Sequence, residues 1–420
     1  MTPSPHTSES EFDLAVVGAG AAGQVAAITA AQAGQRVVLV EQMPKCGMKL
    51  LATGGGRANL TRMLSDREIQ TAFGRQGRFI GPALEHLGPH ALREFFATLG
   101  VDTVADETGR VYPETHKAAT VQQALMRQLE RLGVDVRCRC GATSLWIDDG
   151  QLQGIETEAG PIAATRVLLT CGGKSWPTLG GTGGGYALAQ QAGHSITPLL
   201  PALAGLVSKE QWLVQLAGVA LRDARLWIAL PKQSKAGLTG DVLFTHRGLS
   251  GPAAIDLSGD IAQLLPRHNP VPVHMELVAG KGVAHWTEAM DAWRRDDGKK
   301  QVAKLLRQQG QLPASLVKVL FHQAQLDDQL TAAQLPGAGK TKLANLLGRL
   351  EIPVTRTEGF DSAFVTRGGV KLKEVDPHTL QSRLLPGLSL AGELLDLDAP
   401  TGGLNLQWAF ASGHLAASAI

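Results

Sequence analysis

Gly18-Ala19-Gly20-Ala21-Ala22-Gly23 constrains this chain more than any other stretch. A short apolar run, Phe12 to Val17, precedes it. Ala21 to Ala33 has helical composition, and Arg36 to Val40 is again β-branched and apolar. Glu41 ends that second run, 18 residues past Gly23. Strand, glycine turn, helix and acid-tipped strand together make the βαβ fingerprint of a dinucleotide site. Gly18 permits the tight turn, Gly20 admits a pyrophosphate against the backbone, and Gly23 lets helix and strand pack closely. The amides of Ala21 and Ala22 and the positive end of the helix dipole face that anion. A carboxylate at Glu41 hydrogen-bonds ribose hydroxyls and repels a 2′-phosphate, so the adenosine of FAD or NAD fits better than that of NADP.

The apolar stretch from Leu14 to Ala31 is this same unit and not a membrane span, because it carries three glycines at turn spacing and lacks basic or aromatic anchors. MTPSPHTSES has no basic or apolar region of a secretory signal, and four cysteines in 420 residues suit a reducing compartment. A cytoplasmic protein is expected. Lys plus Arg total 40 against 38 Asp plus Glu, a balance that gives no general attraction for nucleic acid. Neither nucleic acid nor membrane is expected as a partner, and the oligomeric state is not readable. Glycine, at 49 residues, exceeds its usual share of about 7% and gathers in clusters that suit backbone-lined sites.

The length allows two or three domains. Residues 118–133 have helical spacing and a strand follows, then short strands with turns at Asp149-Gly150 and Gly160-Pro161. From about 197 the pattern is mostly β, from about 284 helical and charged, and after Pro353 it returns to strands and a last helix near Leu406 to Ile420. The expected division is a disordered tail over 1–11, a nucleotide-binding domain over 12–196 and 353–420, an inserted β-rich domain over 197–283 and an inserted helical subdomain over 284–352. Two further glycine clusters, Thr53-Gly54-Gly55-Gly56-Arg57 and Gly402-Gly403-Leu404-Asn405, stand near the two ends of the chain. That arrangement suits a long cofactor held from both ends, with the Arg57 guanidinium meeting phosphate.

MKLLATGGGRANLT, LLTCGGKSWPTLGGTGGGYALAQQAGH, DVLFTHRGLSGPA and FVTRGGVKLKEVDPHTLQS occur in that order, followed by PGLSLAGELLDLDAPTGGLNLQWAFASG. Together they resemble the 3-dehydro-bile-acid reductase-like family of bacterial FAD/NAD(P)-dependent oxidoreductases, which also includes aminoacetone oxidase. The resemblance runs from about residue 12 to 418. It implies an α/β fold: a Rossmann-like FAD-binding domain of glutathione-reductase type, interrupted by an inserted β-barrel-like plus helical domain. It places Gly18, Gly20 and Gly23 at the diphosphate and Glu41, with neighbouring Gln42, at the ribose. Lys49, Gly55, Gly56, Arg57 and Asn59 fall in the flavin-side loop, and Val136 at the adenine. Cys171, Gly172 and Gly173 form a strand-end turn. Gly392 and Glu393 match the second FAD motif, and Gly403, Leu404 and Asn405 the last flavin-contacting turn. Relatives commonly carry Arg-Cys-Asn where Arg57-Ala58-Asn59 stands here, and Gly-Gly-Tyr-Asn where Gly402-Gly403-Leu404-Asn405 stands. A thiol and an aromatic ring are therefore missing beside the flavin.

The expected activity is hydride transfer between NADH or NADPH, bound transiently, and a small organic substrate through bound FAD. An amine oxidase using O₂ and a non-catalytic flavin-bound redox sensor are the alternatives. No catalytic residue stands out. His246 and Arg247, at a strand-to-turn transition, are the candidates, with Tyr112 and His116 behind them. No metal motif occurs among the twelve histidines. Gly337-Ala338-Gly339-Lys340-Thr341 imitates a phosphate loop but lacks its leading glycine, since position 334 is Gln334, and reads as a helix start between helices. Cys138 and Cys140 read as core residues on one face of a strand. At Gly403 a branched residue is expected to disturb the flavin while sparing the apoprotein fold.

Overall fold

The apolar run Phe12–Val17 lies in the middle of a sheet, hydrogen-bonded along both edges. In this computed structural model, which describes residues 11–420, it pairs in parallel with Val37–Glu41 on one side and Gly160–Leu169 on the other. A strand covered on both faces must be apolar throughout, and Leu14, Ala15 and Val16 are fully buried. The tail expected over 1–11 lies, apart from Glu11, outside the described residues.

Asp135–Cys138 extends the sheet in parallel beyond Val37–Glu41, so its order is edge strand, second strand, first strand, then Gly160–Leu169. Gly160–Leu169 has two uses. Its first half pairs antiparallel with Gln151–Thr157, which in turn pairs with Ala142–Asp148. Its last residues pair in parallel with Leu388–Leu390, a strand that arrives more than 200 residues later. The chain's two ends are thereby joined in one sheet. Ala21–Gln32 and the last helix, Leu404–Ser418, pack together through small residues, and a Cβ at Gly413 would collide with the Ala22 carbonyl. Phe410 stands edge-on to Phe96 with ring centroids 5.2 Å apart, a second anchor of the same helix.

The described chain divides into two units: one ends at Leu199 and resumes at Val365, and the other is Leu200–Phe364. The second unit contains a closed barrel of six strands, in the order Leu206–Ser208, Gly248–Ser250, Leu238–Phe244, Ala220–Ile228, Val271–Glu276 and Leu350–Thr357. Closure leaves no exposed strand edge. The sequence boundary at Pro353 falls inside Leu350–Thr357, which pairs with both Leu206–Ser208 and Val271–Glu276 and so cannot leave the barrel. Helices Val283–Asp296, Val302–Gln309, Ala314–Ala324 and Gly337–Gly348 belong to this unit. The glycine-lysine segment does begin the last of these, after Pro336, and Lys340 Nζ is bound to Asp291 at 2.7 Å.

His194, 3% exposed, bonds Ser382 Oγ through Nε2 at 2.8 Å. Burial lowers its affinity for a proton below the usual 6.5, although Glu374 opposes the shift. Burial lowers His414 in the same direction, aided by His86. The unfolded chain therefore binds more protons than the native one below about 6.5. The stability held by these neutral imidazoles is present above that pH and is lost as pH falls toward their lowered native values. The thermal midpoint should drop on acidification from neutrality, and His414→Gln should flatten the drop. Equal slopes in wild type and variant would remove His414 from this account.

Candidate functional site

Gly18 takes φ of +100°, and a Cβ there would stand 2.8 Å from the Thr170 carbonyl oxygen. A Cβ on Gly23 would collide with the Gly18 carbonyl. Gly20 differs: its backbone is extended, and a Cβ on it would meet nothing within 4 Å. No side chain caps the helix that starts at Ala21. Its first-turn N–H groups thus border open space, which is the donor set and the clearance a pyrophosphate needs. Glu41 closes the far side. Its two oxygens accept the Ala19 and Met43 N–H groups at 2.8 Å each, which ties the glycine turn to the end of the second strand. Each oxygen keeps a further lone pair for a ribose hydroxyl. These residues fit the adenosine diphosphate part of FAD.

Gln42 and Val136 are placed differently. The Gln42 amide donates to the Gly180 carbonyl at 2.9 Å and holds the loop that follows Lys174. Val136 sits on the edge strand opposite Leu39, two residues from where Glu41 pairs with Cys138. Cys171 donates its thiol to the Val17 carbonyl at 3.4 Å, beside the glycine turn. Burial, with the Glu41 carboxylate adding to it, pushes that thiol up to about 12, so it is no nucleophile at neutral pH. Gly172 follows in the left-handed region with open space around its Cβ position, and Gly173 packs against Glu393 and Thr366.

Lys49 and Glu393, 344 residues apart, form an ion pair at 2.7 Å. Ser175 Oγ bridges them, accepting from Lys49 Nζ at 2.5 Å and donating to Glu393 Oε1 at 3.1 Å. Glu393 Oε1 also accepts the Thr366 N–H at 2.8 Å. Gly392, next in line, would place a Cβ 3.1 Å from Ala22 in the first turn of the fingerprint helix. The Gly392-Glu393 turn thus reaches the glycine fingerprint directly. Ser175 and Thr366 carry no sequence signal of their own; only their neighbours were conspicuous.

The two glycine clusters also meet. With its amide oriented to give each atom a complementary partner, Asn59 donates to the Thr61 carbonyl at 3.0 Å and accepts the Gly403 N–H at 3.2 Å. Gly403 has φ of +95°, and a Cβ on it would lie 2.7 Å from both the Asn59 side-chain amide and the Thr61 oxygen. Glycine at 403 is therefore demanded by the apoprotein, and the expectation that valine there would spare the fold is corrected. Gly403 begins Leu404–Ser418 with no side-chain cap, a second helix N-terminus able to face negative charge. The Asn405 side chain clasps the Ala399 backbone at 2.8 and 3.0 Å, leaving its main chain to any ligand. Leu404 is buried at 2% exposure. Gly55 and Gly56 are exposed left-handed residues, and the Arg57 guanidinium lies 4.9 Å from the Tyr112 ring centroid.

His246 and Arg247 are exposed at the turn between Leu238–Phe244 and Gly248–Ser250 in the barrel unit. Cys138 is not a core residue. Arg139, at φ +54°, ends the strand's alternation, leaving Cys138 exposed with its sulfur 3.6 Å from that of buried Cys46. Among the described residues no group of three or more His, Cys, Asp or Glu is placed to hold a metal ion, and no helix is long and apolar enough to cross a membrane.

Replacing Glu41 by alanine removes the ribose acceptor and the clasp on Ala19 together. FAD affinity should fall by roughly ten- to a hundredfold, the loss of charge-assisted hydrogen bonds. Titration of apoprotein with FAD measures it, and an unchanged constant would leave Glu41 a structural clasp only.

Comparison with known proteins agrees with this geometry. The chain is 34% identical over 408 residues to the 3-dehydro-bile acid delta(4,6)-reductase of Clostridium scindens, covering 97% of this chain and 98% of that one. It is 28% identical to the ribosomal RNA dihydrouridine synthase of Escherichia coli K12, covering 96% of each. In fold it resembles the 3-ketosteroid delta1-dehydrogenase of Sterolibacterium denitrificans, with TM-score 0.54, 14% identity, and coverage of 97% of this chain and 98% of that one. The family model described as HI0933-like protein Rossmann domain matches residues 12–419. The chain belongs to the HI0933-like Rossmann family of FAD-dependent oxidoreductases.

Proposed function

We propose that this protein moves a hydride from NADH or NADPH, by way of bound FAD, to a carbon–carbon double bond activated by a carbonyl in a small organic acceptor. The observation that carries this reading is the match along nearly the whole chain to a relative named as a reductase of such a double bond. FAD, when bound, supplies the hydride chemistry. The residues proposed to hold it are the ones the fold gathers: Gly18, Gly20, Ala21, Ala22, Gly23 and Glu41 at the adenosine diphosphate, with Lys49, Gly392 and Glu393 next to them. Gly55, Gly56, Arg57, Asn59, Gly403, Leu404 and Asn405 are proposed for the flavin end. Gln42, Val136, Cys171 and Gly172 are proposed as further contacts of the cofactor. The uncapped N-terminus at Leu404 favours negative charge without adding a charged side chain.

Anaerobic mixing of the purified yellow protein with NADH and NADPH tests the reading. Rapid bleaching, followed by recovery of colour on adding a 3-oxo-4-ene steroid, is the expected result. Bleaching only by an amine would identify an oxidase, and inertness to both would favour a redox sensor. Ribosomal RNA as acceptor is a second reading, favoured by the match to the Escherichia coli synthase. The net charge of +2 supplies no general field for it. Recovery of colour with ribosomal RNA and not with the steroid would establish it.

A further inference from the structure

Thr61–Arg62, Arg110–Pro113 and Thr103–Ala105 form a small antiparallel sheet in the nucleotide-binding unit, with Arg110–Pro113 in the middle. Its register sets Arg62 directly opposite Arg110. Two like charges facing each other across a strand pair weaken a sheet, so this pairing calls for a reason. Both guanidinium groups approach one point. The Cβ position of Gly402 lies 4.0 Å from Arg62 Nη1 and 3.9 Å from Arg110 Nε, and glycine keeps that space clear. Arg110 Nε is buried without a hydrogen-bond partner, a donor that costs free energy until an acceptor arrives. Tyr112, two residues on and on the same face of the strand, carries the Arg57 guanidinium over its ring.

Asp106 and Glu68 lie near enough for Arg110 and Arg62 to favour their charged forms, but neither forms an ion pair with them. Asp106 Oδ1 accepts from the Thr108 N–H and hydroxyl and from the Arg110 main chain. Glu68 is bound to Ser65 through N–H and hydroxyl at 2.8 and 2.7 Å. Arg62 spends its Nε on the Thr108 carbonyl, which leaves its terminal nitrogens. Among the described residues no carboxylate is within ion-pair distance of Arg57, Arg62 or Arg110.

We propose that Arg62 and Arg110, with Arg57 on Tyr112 beside them, form a subsite for the oxyanion of a small-molecule ligand next to the Gly402-Gly403 turn. The inference rests on the reading above that this turn borders the reacting end of the cofactor. A guanidinium pair meets a carboxylate or a phosphate equally well, so the oxyanion is either the carboxylate of an acidic acceptor or the 2′-phosphate of a nicotinamide dinucleotide. The acceptor would then be oriented by its charged end while its double bond reaches the flavin.

The test uses the FAD-loaded full chain and two probe pairs: a 3-oxo-4-ene steroid with a side-chain carboxylate against its methyl ester, and NADP⁺ against NAD⁺, which carry no hydride to give the flavin. Binding is read from the flavin's visible spectrum or by calorimetry. The charged member of one pair should bind roughly ten- to a hundredfold tighter, and the advantage should shrink with added salt. Arg62→Gln and Arg110→Gln should erase it while leaving the uncharged member's constant and the FAD content unchanged, and Arg62→Lys should restore part of it. Loss of the acid–ester difference assigns the site to the acceptor, and loss of the NADP⁺–NAD⁺ difference assigns it to the nicotinamide nucleotide. Absence of a salt-sensitive preference in both pairs overturns the proposal. So does loss of FAD in step with the arginines, since the oxyanion would then be the cofactor's own. Binding is measured without turnover, so a protein that holds the acid but never reduces the steroid sinks the reductase reading and leaves the subsite standing.

Discussion

Gly20→Val should give a folded, colourless protein. The backbone at Gly20 is extended at φ −78°, which any residue adopts, and a Cβ there meets no protein atom within 4 Å. The apoprotein should therefore melt within about 0.5 kcal/mol of wild type, as harmless surface changes do. The branched side chain would instead occupy the clearance in front of the uncapped helix, where a pyrophosphate has to touch the main chain. Flavin content on purification should fall below about a tenth of wild type, since an affinity loss of a few kcal/mol is more than a hundredfold. Gly23→Val serves as the contrast, because its Cβ collides with the Gly18 carbonyl and the turn itself cannot form. That variant should fail to fold. A yellow Gly20→Val protein with one FAD per chain would remove this turn from the cofactor site.

The contrast between Gly20 and Gly23 also marks what a sequence exposes to reading. Gly23 answers to a contact within its own βαβ unit, the Gly18 carbonyl, so spacing alone assigns its part, whereas Gly18 packs on Thr170, about 150 residues later, which spacing does not show. The six-stranded barrel is legible as alternating apolar segments, but its last strand is not. Leu350–Thr357 follows a helical stretch and closes the barrel through partners more than 70 and 140 residues earlier, so composition puts the boundary inside it. Cys138 was misplaced for a local reason. A period of two holds only while the strand stays regular, and Arg139 leaves it. Arg62 and Arg110 carry no motif; their opposition appears only once strand register is known. The pairing of Lys49 with Glu393 is equally silent in the sequence, since each belongs to a separate motif and nothing local says that the motifs touch.

That pairing makes an unequal pair of predictions. Glu393 accepts from three donors, Lys49 Nζ, Ser175 Oγ and the Thr366 N–H, drawn from three separate segments. Among the described residues Lys49 reaches only Ser175 and Glu393. Removing the acid strands a cation and two neutral donors; removing the lysine leaves the acid with two donors still in place. The lysine and glutamate side chains are 28% and 21% exposed, so solvent softens the penalty of an unpaired buried charge. Glu393→Ala should cost the apoprotein about 2 kcal/mol and Lys49→Met about half that, below the 3–5 kcal/mol of a fully buried pair. The double variant should cost no more than Glu393→Ala alone, because removing the lysine takes away the stranded cation and loses only its Ser175 contact. Glu393→Ala should also release FAD, since Gly392 beside it packs on Ala22 at the head of the fingerprint helix. Chemical denaturation of the apoproteins and FAD titration separate the two effects. If Lys49→Met proves as costly as Glu393→Ala, the acid is not the hub. If Glu393→Ala lowers stability while FAD affinity stays at the wild-type value, the junction between the two ends of the chain is structural alone.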